Sequence, residues 1–208
     1  MIKPFLLLFI ALLSACSSEP PVKSTEAKKS DTATANGAAT DTVEALAVPL
    51  SMLRWYQPRM DSINSICMVP TACNTDTSDR YVVDFSQVDT YLAALNQKRY
   101  FSAAYLDSRR TDYRRWSDSL QLHPQFDGPP RGFDYDPIYL SQDPDDLDML
   151  LKTSPRILRH HPDSIRVGFD DIYSGPDGPV PQRIIFYDLS RHNKRWLIDA
   201  IKIIPIGQ

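Results

Sequence analysis

Six aspartates fall between residues 134 and 148: Asp134, Asp136, Asp143, Asp145, Asp146 and Asp148. Hard carboxylate oxygens at that density could bind calcium, with Asp143, Asp145 and Asp148 as the candidate ligands. The glycine and the closing glutamate that shape an EF-hand loop are missing, however, and Pro144 interrupts the spacing. Capping of a short helix by Asp143 accounts for part of the cluster. Asp134, Asp136 and Gln142 could equally brace an otherwise unpaired loop backbone through side-chain hydrogen bonds. Nothing in these patterns calls for a cofactor.

A second group with chemical potential is His160 and His161 next to Asp163. Imidazole titrates near neutral pH, which suits acid-base work or metal binding. The pair lacks a serine or cysteine nucleophile at a recognisable motif spacing, and its position before an apolar alternation reads as a turn leading into a strand. His123 and His192 fall in expected loops.

Cys67 and Cys73 enclose Met-Val-Pro-Thr-Ala. An even pair at short separation is a disulfide candidate in an oxidising compartment. A ring this small would contribute about 2–2.5 kcal/mol if unstrained. Zinc fits less well, because the neighbours are Asp and Asn and no histidine lies at the local ligand spacing.

The most mixed surface pattern lies between residues 105 and 116, where Tyr105, Tyr113 and Trp116 alternate with Arg109, Arg110, Arg114 and Arg115. Rigid rings and guanidinium forks are favoured at protein interfaces. The competing reading puts the rings in a core and the arginines in solvent.

The chain around these groups has 208 residues and a formal net charge of −3. With 42% hydrophobic residues it can build one sizeable core. The near-balanced charge lacks the basic footprint of a nucleic-acid binder. Seventeen prolines against seven glycines favour stiffened, irregular connections.

The start carries an address. Lys3 precedes an apolar run from Phe5 to Leu13, too short to span a bilayer and typical of a removable export signal. Leu13-Ser14-Ala15-Cys16 closely resembles the bacterial lipoprotein box, which implies a signal peptide over residues 1–15 and acylation of Cys16 by diacylglyceryl and palmitate-type chains. Ser17 in place of an aspartate implies outer-membrane rather than inner-membrane residence. From residue 17 to 44 the composition is Ser, Thr, Ala, Lys, Glu and Pro with hardly a large apolar side chain. Such a stretch is expected as a disordered spacer, so residues 16–44 form the tether and 45–208 a single globular domain.

Within that domain, Leu50, Leu53, Tyr56, Met60 and Ile63 form a helical stripe that Pro58 should kink or shorten. A second helix is expected from a cap at Ser86 to about Lys98, with Val88, Tyr91, Leu92 and Leu95 inward. A third runs on from Ser102, with Ala103, Leu106, Tyr113, Trp116 and Leu120 inward. After an irregular stretch from His123 to Ser154, broken by one helical turn at residues 145–151, residues 164–173 alternate as a strand. Residues 183–189 and 195–204 pair as a hairpin. Helices first and strands last predict an α+β fold with the helices packed on a curved antiparallel sheet.

That order and three stretches resemble a family of bacterial envelope lipoproteins with a cystatin-like fold, akin to the nuclear-transport-factor-two-like cone. Trp55-Tyr56 is similar to the aromatic pair of the family's opening helix. Phe133-Asp134-Tyr135-Asp136-Pro137-Ile138 with Gln142-Asp143 is similar to its Asp-x-Asp-Pro-Phe and Gln-Asp signature. Trp196-Leu197-Ile198-Asp199 is similar to its closing strand. The resemblance spans residues 50–204, with Ile138 departing from the usual Phe, and implies no established reaction.

Two functions follow as expectations. The first is a lipid-anchored, non-enzymatic envelope protein that docks a protein partner or envelope component, as an accessory or immunity-type module. The second is a small-ligand or hydrolytic pocket between sheet and helices using Asp170, Asp171 or His161. A cavity with converging titratable groups would favour the second, and an exposed Arg and aromatic face the first.

Overall fold

Ala45, Met52, Leu53 and Tyr56 recur at helical spacing and are all fully buried, which fixes the inward face of the first helix. The structure, a computed structural model, describes residues 32–74, 79–175 and 178–206. Helix α1 spans Thr32–Tyr56. It therefore begins inside the stretch expected to be spacer. Asp41 of that stretch forms an ion pair with Arg191 in the sheet, which ties this part of the helix to the folded domain. Cys16 and residues 1–31 lie outside the described residues. No described helix is long and apolar enough to cross a membrane.

Pro58 ends α1 as anticipated. The chain tightens into a 3-10 turn over Gln57–Arg59 before α2, Met60–Asn64, with Pro58 in the first turn, where its missing N–H leaves no bond unmade, whereas Pro49 is carried inside α1. The short α3, Pro70–Cys73, is closed by the Cys67–Cys73 disulfide. Its Cα atoms are 6.3 Å apart, within the ordinary range. Helix α4, Phe85–Leu95, is capped by Asp84 rather than Ser86. The Asp84 carboxylate accepts from the Ser86 hydroxyl at 2.7 Å and from the backbone N–H groups of Ser86 and Gln87 at 2.8 and 3.4 Å, and these bonds hold it below the usual carboxylate range. Helix α5, Ala103–Leu122, starts where expected, and Ser102 caps it through a hydroxyl that accepts from Tyr105 N–H. Helix α6, Pro144–Lys152, is capped by Asp143 through Asp145 N–H at 3.0 Å.

Four strands follow as an antiparallel meander in the order β1-β2-β3-β4. They are β1 Arg156–His161, β2 Ser164–Gly175, β3 Gly178–His192 and β4 Arg195–Pro205. Strand β1 was not expected. It is a mostly exposed edge rich in arginine and histidine, so it lacks the apolar alternation that reveals a strand, and backbone pairing with β2 holds it. His160 and His161 consequently sit in a strand and not in a turn. The β3–β4 hairpin turns at Asn193 and Lys194, both with positive φ, as a two-residue primed turn requires.

Ile165, Val167 and Phe169 of β2 and Ile185, Tyr187 and Leu189 of β3 alternate onto one face and join α1, α4 and α5 in a single core. The opposite face carries Arg166, whose guanidinium binds Asp188 in two bonds of 2.6 and 2.9 Å and lies 4.0 Å from the Phe186 ring centroid. The architecture is α+β, with the helices layered on one face of the sheet. Phe101 bridges Ile198 at the β4 edge and leads straight into α5, whose Tyr113 and Trp116 meet Phe133 at the start of the loop that carries the aspartates.

Candidate functional site

Asp136 is the knot of that loop. Its side chain is buried, with the residue 8% exposed. One oxygen accepts from Ile138 N–H at 2.8 Å, and the backbone of Tyr139 also donates to the carboxylate. The other oxygen accepts from the Tyr56 phenol and from Asn64 Nδ2 at 3.0 Å. The loop backbone closes on itself through Asp136 N–H to Ser141 O and Leu140 N–H to Asp136 O, both 2.8 Å, with Leu140 at φ 56°. From the sheet, Tyr187 donates its hydroxyl to Ile138 O at 2.9 Å. Three separate parts of the chain thus fix one loop.

Burial pushes the Asp136 carboxyl above its ordinary pKa, and the bonds from Tyr56, Asn64 and the loop N–H groups oppose that rise. Burial, then the charge of Asp136, raise the Tyr56 phenol far beyond the physiological range. Tyr56 is therefore a fixed donor and Asp136 a braced acceptor.

Beside the knot lies a half-open cavity of about 320 Å³ bounded by α2, α4, α5 and the loop. Its walls are aromatic. Tyr113 stacks near Phe133 at 5.4 Å between centroids, Trp116 meets Phe133 edge-on at 5.5 Å, and Tyr135 extends the group 6.3 Å from Trp116. Gly132, at φ +86°, lays its backbone on the Trp116 ring, where a Cβ would come within 2.3 Å. Tyr91, Tyr139 and Asp136 lie deeper, and Asp61 and Asp134 are exposed at the mouth.

The motif residues divide accordingly. Tyr56 and Asp136 make the knot, while Asp134, Pro137 and Gln142 line the cavity. Trp55 packs in the core against Tyr100, and Asp143 caps α6. Trp196 and Asp199 belong to β4, away from the cavity lining. Reasoning from sequence missed Asn64, Asp61 and Met60, which a kinked helix brings to the cavity across about 70 residues of chain.

Several expected groupings come apart. Tyr105 and Tyr113 are each only 3% exposed, and half-buried Trp116 faces the cavity. Arg109 and Arg115 both bind Asp112, and Arg110 binds Asp89 of α4. Exposed arginine therefore remains on α5 at Arg114 and Arg115 without its rings, because the helical stripe turns the rings inward. Asp145 and Asp148 are exposed, Asp148 accepts from Gln57, and no three acidic, His or Cys residues among the described ones gather as a metal site. Asp170 is bound to Arg156 at 2.7 Å. Neither it nor His161 lines the cavity, which opens on the side of the loop. The side chain of Asp171 lies outside the described ones.

Ser190, His192 and Asp199 meet on the exposed side of the hairpin in a combination associated with nucleophilic hydrolysis. Ser190 Oγ lies 2.8 Å from His192 Nε2, and Asp199 Oδ1 lies 3.5 Å from the same nitrogen. A relay needs the carboxylate on Nδ1 and the hydroxyl on Nε2. Here both meet the same nitrogen, so the relay arrangement is not formed.

No known protein family, curated protein or solved structure matches this chain.

Proposed function

We propose that this chain is a lipid-anchored protein of the bacterial cell envelope, held in the outer membrane through Cys16, whose domain binds a small ligand without transforming it. The cavity beside Asp136 carries this reading. A volume of about 320 Å³ with aromatic walls and a few fixed polar groups falls at the small end of ligand sites. Its floor is pre-organised: the loop is pinned by Tyr56, Asn64 and Tyr187, so little ordering cost remains for binding.

A binding rather than catalytic role is favoured because the buried carboxylate and the phenol beside it are occupied with each other. Likewise, the Ser190, His192 and Asp199 group lacks the relay geometry. A cystatin-like arrangement is the finer fold reading, supported by helices layered on one face of a four-stranded meander. The alternative, docking of an envelope protein on α5, is weakened by the inward turn of Tyr105 and Tyr113.

The test is a fragment screen of the detergent-solubilised protein read at the Trp116 indole N–H by NMR, with Trp116→Phe to assign the signal. Saturable shifts of that signal are expected for at least one chemical class. Silence across cationic, anionic and neutral sets would refute a ligand site here. Radiolabelled palmitate should enter the chain and be lost in Cys16→Ser, and equal labelling of both would refute the anchor.

A further inference from the structure

We infer that the cavity selects a small organic cation whose ammonium nitrogen is fully alkylated. The inference rests on the cavity being a ligand site and names what enters it. Three carboxylates line the space, Asp61, Asp134 and Asp136, and no lysine, arginine or histidine does. An anion would enter against that field without a donor charge to meet it, whereas a cation gains from all three.

The walls sharpen the choice. Trp116, Phe133 and Tyr135 are half-buried rings, and Trp116 meets both of the others. Ring faces attract a cation, tryptophan most strongly.

The floor then decides between kinds of cation. Asp136 is charged when ionised, but its oxygens already accept from Tyr56, Asn64, Ile138 and Tyr139, and a carboxylate offers only about four acceptor sites. It supplies negative potential with no vacant acceptor. A primary ammonium would surrender three hydrogen bonds to water and regain none from Asp136, which is costly. A bare metal ion needs vacant oxygen ligands for the same reason. A quaternary ammonium has no N–H to satisfy, so it can use the field and the rings without that loss.

The test uses the full detergent-solubilised chain and three probes, choline, its neutral isostere of equal size 3,3-dimethylbutan-1-ol, and the smaller primary ammonium ethanolamine, each titrated against the Trp116 indole signal. Choline should saturate the shift, and both other probes should bind at least about fivefold more weakly, the ratio that a modest cation–π term provides. Trp116→Leu should weaken choline, followed at the loop signals of Gly132 and Tyr135, by about 5–30-fold, with Trp116→Phe recovering part of it. The pair Asp61→Asn and Asp134→Asn should weaken choline and flatten its salt dependence, while leaving the neutral isostere unchanged. If the isostere or ethanolamine binds as tightly as choline, the cation inference falls and the ligand site survives. If no probe and no wider fragment set moves Trp116, the ligand site falls as well.

Discussion

Replacing Tyr56 by Phe removes one oxygen from the knot and leaves the ring in place. The phenol is fully buried and donates to a buried carboxylate, and a hydrogen bond to a charged group contributes about 1.5–3 kcal/mol. Asn64 continues to donate to the same Asp136 oxygen, which puts the expected loss near the lower end, about 1.5–2 kcal/mol. For a chain of this size that corresponds to a fall in Tm of about 3–8 °C. The loss should depend on pH with a definite sign. Burial raises the folded pKa of Asp136 above its ordinary value, so the folded state holds that proton more readily than the unfolded one. The stability this group contributes is full below the ordinary carboxylate range and is lost as pH rises through the folded value. Tyr56 favours the ionised form, so its removal lifts the folded pKa further. Tyr56→Phe should lie closest to the parent in acid and diverge as pH rises. Urea unfolding followed by circular dichroism at about pH 4 and about pH 7 measures both effects. A destabilisation under about 0.5 kcal/mol, or one equal at the two pH values, would refute the account of the knot.

Three further outcomes follow from the packing. Cys67→Ser with Cys73→Ser should cost about 2–2.5 kcal/mol in oxidising buffer and nothing against the parent in reductant, and equal stability in both buffers would show that the bridge contributes no stability. Gly132→Ala should cost about 1–3 kcal/mol and displace the Trp116 indole signal, since the added carbon meets the ring at 2.3 Å on a backbone of positive φ; an unmoved indole resonance would contradict the close approach. Trp196, 4% exposed beneath Arg191, should cost about 3–5 kcal/mol as Trp196→Ala by thermal unfolding, and an unchanged Tm would remove it from the core.

Local signals were legible in the sequence and distant meetings were not. Ser102 and Asp143 announce helix starts because a short acceptor sits next to the free N–H groups it serves. The β3–β4 hairpin shows as two apolar runs around a short polar turn. Bracing of the loop by Asp136 was readable as a habit of aspartate in turns. Strand β1 escaped because an edge held by backbone pairing needs no apolar pattern, and the start of α1 at Thr32 escaped because small and polar residues mark no core. The α4 cap was misplaced by two residues because Asp84 and Ser86 are both good caps and only geometry chooses. The arginine and aromatic run gave composition without direction. The cavity depends on Asn64 and Tyr56 reaching Asp136 across 72 and 80 residues, and no periodicity encodes such a meeting.

The same separations set when the cavity can come into being. Its loop is held by Tyr56, 80 residues upstream of Asp136, and by Tyr187, 49 residues downstream of Ile138. Closing loops of that length costs chain entropy before any bond is gained, and contacts of such range form slowly. The floor cannot settle until β3 has been synthesised and docked against the N-terminal helix. A chain that ends before β3 lacks the Tyr187 clamp, and recovery of ligand affinity after dilution from denaturant should lag behind the return of helix signal. If the cavity takes the proposed ligand, affinity for it would therefore be a clock for the completion of folding.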